Sequence, residues 1–135
     1  MRVCGIELKA NNTVFSLLDY TSKQVQYMDI NEKKIAIQND EDIEELKNYI
    51  AFIKNLIKKY DIEIIVIKKR AKKGSFAGGA VTFKLEGLIQ LNGLCEVKLI
   101  SPQALSKFEK KENIEFPKSL NKYQEQAYLA ALYQE

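Results

Sequence analysis

The apolar run Ile62, Ile64, Ile65, Val66 and Ile67 constrains the fold more than any other stretch of the chain. Only Glu63 interrupts it, so it is too continuous for a strand with one wet face. It reads as a central strand covered on both sides and parallel to a neighbour. Lys68, Lys69, Arg70, Lys72 and Lys73 follow at once, five cations within six positions. Gly74 and Ser75 break the charge run, and Phe76-Ala77-Gly78-Gly79-Ala80 opens a new apolar-periodic helix. A strand end, a cationic loop and the free amides of a helix start together make an anion site. A solvated lysine loop is the plain alternative. Gly78 and Gly79 either let a phosphate approach those amides or let helix and strand pack closely.

Around this centre the other elements fall in order. Residues 2–8 read as a first strand, Asn11-Asn12 as a turn and residues 13–20 as an antiparallel partner. A third strand lies within residues 25–37, interrupted by the polar stretch 29–34. Asn39 or Asp40 caps a long helix whose buried stripe is Ile43, Leu46, Ile50, Ile53 and Ile57. After the central strand, a helix over residues 80–91 turns Val81, Leu85 and Leu88 inward and Thr82, Glu86 and Gln90 to a polar side. Asn92-Gly93 ends it. Residues 95–100 form a fifth strand, Ser101-Pro102 starts a short helix, and residues 119–133 close the chain as a helix. The order β-β-β-α-β-α-β-α-α predicts one α/β domain over residues 1–135. Its mixed five-stranded sheet has three antiparallel strands, then two parallel ones, with helices on both faces.

Composition narrows the chemistry. The sequence has no histidine and only two cysteines, Cys4 and Cys95. Histidine-based acid–base catalysis, histidine metal sites and a structural zinc site are therefore excluded. Both cysteines sit in apolar contexts and read as buried free thiols of a reducing compartment. No apolar run approaches the roughly 20 residues that span a bilayer, and residues 1–6 carry no signal-peptide core. A cytoplasmic protein without a membrane partner is expected. The formal net charge of +3 is mild, and its concentration at residues 68–73 is what matters.

Several segments are similar to a known group: Val3-Cys4-Gly5-Ile6-Glu7-Leu8-Lys9, Val66-Ile67-Lys68-Lys69-Arg70, the stretch from Gly74 through Phe76-Ala77-Gly78-Gly79-Ala80-Val81 to Lys84, and Leu99-Ile100-Ser101-Pro102. Over nearly its whole length the chain resembles a family of small uncharacterised bacterial proteins, grouped with the Holliday-junction-resolvase branch of the ribonuclease H-like superfamily. That resemblance implies acids from the first strand, the end of the fourth strand and the last helix, together holding Mg2+ or Mn2+. Glu7 matches the first position. Glu125 matches the last, although a one-residue shift puts Gln126 there, and Glu86 is a further acid that could approach. At the fourth-strand position the resemblance implies an acid, and this chain has Lys69.

The exchange has a large electrostatic consequence. Replacing a carboxylate by an ammonium at about 4 Å from a divalent ion costs about 4 kcal/mol even with the screening of bulk water. At most one weakly held Mg2+ or Mn2+ on Glu7 and Glu125 is then expected. Three functions follow. The first is nucleic-acid binding, DNA ahead of RNA, through Lys68, Lys69, Arg70, Lys72, Lys73, Gly78 and Gly79, with hydrolysis weak or lost. The second is a magnesium-dependent endonuclease on branched DNA, with Glu7, Glu125 and Glu86 as its catalytic acids. The third is a protein-interaction or small-anion module. The resemblance also brings a homodimer into view.

Overall fold

The computed structural model describes residues 1–21, 23–73 and 79–133. Two long strands, β1 (Arg2–Lys9) and β2 (Asn12–Asp19), form an antiparallel hairpin with Val3 opposite Leu18 and Glu7 opposite Val14. Ala10 makes the turn at a φ of 54°. The expected single third strand is delivered in two pieces, β3 (Gln26–Met28) and β4 (Lys34–Ala36), each antiparallel to β2. The polar stretch between them makes this break. There Lys33 bonds both the Asp29 carboxylate and the Ile30 carbonyl, and those side-chain bonds replace ladder bonds. The sheet thus has six strands in place of the five expected, though β3 and β4 share one side of β2.

The helix α1 (Ile43–Tyr60) carries the chain across to β5 (Ile62–Lys68), which lies parallel to β1. Asp42, rather than Asn39 or Asp40, caps α1 by accepting from the Glu44 amide. Tyr49, Ile53, Leu56 and Ile57 are inside, while Ile43 is 65% exposed. Asp61 then takes a left-handed φ of 50° and turns the chain into β5. The next units are α2 (Ala80–Gln90), β6 (Glu96–Ile100) parallel to β5, and α3 (Pro102–Glu112), capped by Ser101 as its sequence predicts. On α2 the inward side holds Thr82, Leu85 and Ile89, so Thr82 joins the core while Val81 and Leu88 lie at its margin. The chain closes with a 3-10 turn (Lys122–Gln124) leading into α4 (Glu125–Leu132), shorter than the helix expected.

Helices cover both faces of the sheet. On one side Cys4, Ile6 and Leu8 of β1 and Ile65 and Ile67 of β5 pack against α1 and α2. On the other, Val3 and Val66 pack against α3 and α4. Period-two alternation along β1 and β5 produces this division, since each central strand is apolar on both sides. Cys4 and Cys95 are free thiols. Burial pushes the Cys4 thiol up to about 12 and the Cys95 thiol up to about 11. Among the described residues, no helix is long and apolar enough to cross a membrane.

The approach of α4 to the sheet is set by small residues. Gly5 on β1 lies directly under the helix, and a Cβ there would strike the Ala127 carbonyl and stand 2.7 Å from the Ala131 amide nitrogen. Ala127, Ala130 and Ala131 are all fully buried at this contact. Gly5→Ala should therefore push α4 off the sheet and cost about 3 kcal/mol or more of stability. A urea denaturation midpoint equal to that of the parent chain would show that the contact is slack.

Candidate functional site

Close packing of α4 brings three side chains together at one end of the sheet. Glu7 is the third residue of the β1 face that begins Val3, Gly5. It is only 5% exposed. The parallel register pairs it with Lys68, the last residue of β5. The Lys68 ammonium lies 3.7 Å from Glu7 Oε2 and donates a 2.9 Å hydrogen bond to Gln126 Oε1 on α4. Both partners are withdrawn from water, with side-chain exposures of 6% for Glu7 and 18% for Lys68.

One sequence expectation is corrected here, and an alternative left open by the sequence is placed. Lys68, and not Lys69, stands beside the first-strand acid. Side chains alternate along β5, so Ile64, Val66 and Lys68 share the α4 face with Glu7. Lys69 comes one residue later, where its amide donates to the Ile100 carbonyl at 2.8 Å. On the last helix, Gln126 takes the inward position next to Lys68, and Glu125 lies one residue away on the wall of the same groove. The helical phase is fixed by the preceding turn. Asn121 and Gln124 form a capping box, and buried Gln124 donates to the Phe15 carbonyl at 2.9 Å.

Glu86 belongs to a different environment. It sits on α2, the helix packed on the opposite face of the sheet. Partial burial raises its pKa above the ordinary carboxylate value, while Lys69 and Lys72 pull it down. The net upward shift means that its contribution favours the fold at low pH and is lost as pH rises through its folded pKa. Glu86 therefore answers the basic loop and does not complete an acid cluster with Glu7 and Glu125. Among the described residues, no group of three or more His, Cys, Asp or Glu side chains is placed to hold a metal ion.

Of the cationic loop, Lys69, Lys72 and Lys73 are exposed and Arg70 is half-buried. Because Lys68 ends β5 beside Glu7, these four leave the sheet on the same rim as the first-strand acid. Gly79 precedes α2 with an extended backbone, and its carbonyl accepts a 2.6 Å bond from the Thr82 hydroxyl. Space beside Gly79 is open, so it makes no close helix–strand contact. Gly78 lies outside the described residues.

Glu7 forms the floor of an open groove of about 630 Å³, with Lys9, Lys122, Tyr123, Glu125 and Gln126 on its walls. Magnesium and manganese prefer several oxygen ligands carrying negative charge. Here Glu7 is already balanced by an ammonium, Gln126 is neutral, and Glu125 alone remains. The residues present do not fit a divalent catalytic site. Lys9, Lys34, Lys122 and Tyr123 were not apparent as site residues in the sequence. They are scattered in the chain, and only the fold collects them.

A family described as "Protein of unknown function (DUF3010)" matches residues 1–134. The chain belongs to the DUF3010 family. No curated protein matches this DUF3010 chain. Solved structures similar to it include Thermus thermophilus RuvC, with a TM-score of 0.74 and 9% identity over 98% of this chain and 92% of that one. T. thermophilus RuvC in complex with Holliday junction substrate gives a TM-score of 0.66 and 10% identity over 98% and 90% of the two chains. Fowlpox virus resolvase with substrate Holliday junction DNA gives 0.57 and 16% over 98% and 95%. At these identities the likeness establishes the fold, which is ribonuclease H-like in the arrangement of the resolvases.

The trio can be tested within the molecule. Lys68→Met should cost about 3 kcal/mol because it leaves the Glu7 carboxylate buried without a cation. Glu7→Gln in the same background should recover most of that loss, a coupling read from urea denaturation of the two single variants and the double variant. Strictly additive losses would mean that the two side chains do not depend on each other.

Proposed function

We propose that this chain, acting as one domain over residues 1–135, binds nucleic acid on a ribonuclease H-like scaffold, DNA ahead of RNA, with hydrolysis weak or lost. The observation that carries this reading is the Glu7–Lys68–Gln126 trio, which stands on the rim where the cationic loop leaves the sheet. Lys69, Arg70, Lys72 and Lys73 supply positive charge at a strand end, and α2 begins just beyond them with no acid in its first turn. Support also comes from the shared fold, since T. thermophilus RuvC and fowlpox virus resolvase were each captured with Holliday junction DNA. A cytoplasmic location, where nucleic acid is accessible, is compatible with this function.

Hydrolysis of a phosphodiester by metal ions needs anionic oxygens that hold the ions about 4 Å apart. Lys68 repels such ions from Glu7. Charge-paired with Glu7, it also removes the negative charge that would repel a polyanion, so the trio opposes cleavage while the loop cations attract the phosphates. Binding should then require no divalent ion.

Because Lys68 is committed to Glu7, four loop cations remain for phosphates. Affinity for duplex DNA should fall with a slope of about −3.6 in log K against log salt, shallower than the −4.5 or so of five free cations. Chelation of divalent ions should not weaken it. Lys72→Gln together with Lys73→Gln should flatten the slope by about 1.8. Absence of binding to every DNA and RNA at low salt would refute the proposal.

A further inference from the structure

Among the described aromatic side chains only Tyr123 is exposed, at 39%, and it stands on the wall of the groove that holds Glu7. The other described tyrosines and phenylalanines are buried or half-buried in the two cores and at their margins. A ring that is exposed and also lines a polar groove can meet a ligand held there.

The ring is held in place. Tyr123 is the middle residue of the 3-10 turn, between Lys122 and Gln124, and Gln124 is anchored on the Phe15 carbonyl beneath the sheet surface. From β4, the Lys34 ammonium lies 4.9 Å from the ring centroid. Lys34 is not among the residues that line the groove. With an ammonium over one face, the ring has its other face on which a flat guest can stack.

The charges around the ring select the class of guest. Lys9 and Lys122 line the same groove, while Glu7 is balanced by Lys68 and leaves Glu125 as the one uncompensated acid there. Lysines within reach of an exposed ring match the two halves of a nucleotide, phosphate on the ammonium groups and base on the ring. In a duplex both faces of each base are covered by stacked neighbours, so a base must leave the stack to use Tyr123. We infer that the groove between Lys9, Lys122 and Tyr123 takes an unpaired nucleotide of the bound polymer. This inference rests on the nucleic-acid reading above and adds to it a preference for single-stranded or unstacked regions.

The test is fluorescence anisotropy of a labelled oligothymidylate and of a duplex of equal length, at low salt with divalent ions chelated. The readout is the ratio of single-strand to duplex affinity. Tyr123→Leu should lower that ratio by about tenfold, the loss of one stacked base, and Tyr123→Phe should preserve it. Circular dichroism melting checks that both variants fold. A ratio in Tyr123→Leu equal to that of the parent chain would overturn the inference and leave loop-mediated duplex binding standing. So would a parent chain that binds duplex and no single strand. Failure of the parent chain to bind either polymer would overturn the inference and the nucleic-acid reading together.

Discussion

The ion pair between Glu7 and Lys68 is the interaction on which the arrangement of this molecule turns. It joins the two strands at the middle of the sheet, β1 and β5, at the end where the basic loop departs. Removing two charges from water is expensive, and their attraction offsets the cost only when each has a close opposite and further hydrogen bonds. Gln126 supplies such a bond to Lys68. It can do so because α4 lies almost on the backbone of β1, an approach that only a glycine at position 5 permits. A missing Cβ on one strand thus determines the chemistry two residues further along it.

The fold and the chemistry of the site point in different directions. The fold is shared with resolvases along nearly the full chain, yet a fold fixes positions and leaves their charges open. At the centre of this site two of three inward positions, Lys68 and Gln126, are not acids. An ammonium in that place performs part of what a bound cation would do electrostatically. It neutralises Glu7, so the site no longer repels an anion. It offers no exchangeable coordination site and cannot polarise a phosphate or a water as a divalent ion does. Polyanion affinity without turnover is the function we propose for such a site.

Much of this architecture was legible in the amino-acid order, and the misses have definite causes. The continuous run at residues 62–67 announces a doubly covered parallel strand, and Ser101-Pro102 marks a helix start; β5 and α3 bear out both. The identity of the lysine beside Glu7 was missed because β5 extends one residue past its apolar run, and alternation then turns Lys68 to the α4 face. Glu125 and Gln126 were indistinguishable until the capping box fixed the phase of α4, since a one-residue rotation of a short helix exchanges them. Tyr49 entered the stripe of α1 because its hydroxyl meets the Thr13 hydroxyl at 2.6 Å across the core. No local pattern encodes that contact. The spacing of Leu120, Tyr123, Ala127 and Ala130 reads as a packing stripe of the last helix, yet Tyr123 is exposed, because its 3-10 turn and the neighbourhood of Lys34 are properties of the folded chain.

The central claim is that Lys68 holds the place of a cation and closes the acid site to metal. Titration of the parent chain with Mn2+, followed by electron paramagnetic resonance of the free ion, measures this directly. The account predicts no stoichiometric binding at micromolar Mn2+. One equivalent bound in that range, and lost in Glu7→Gln, would contradict it.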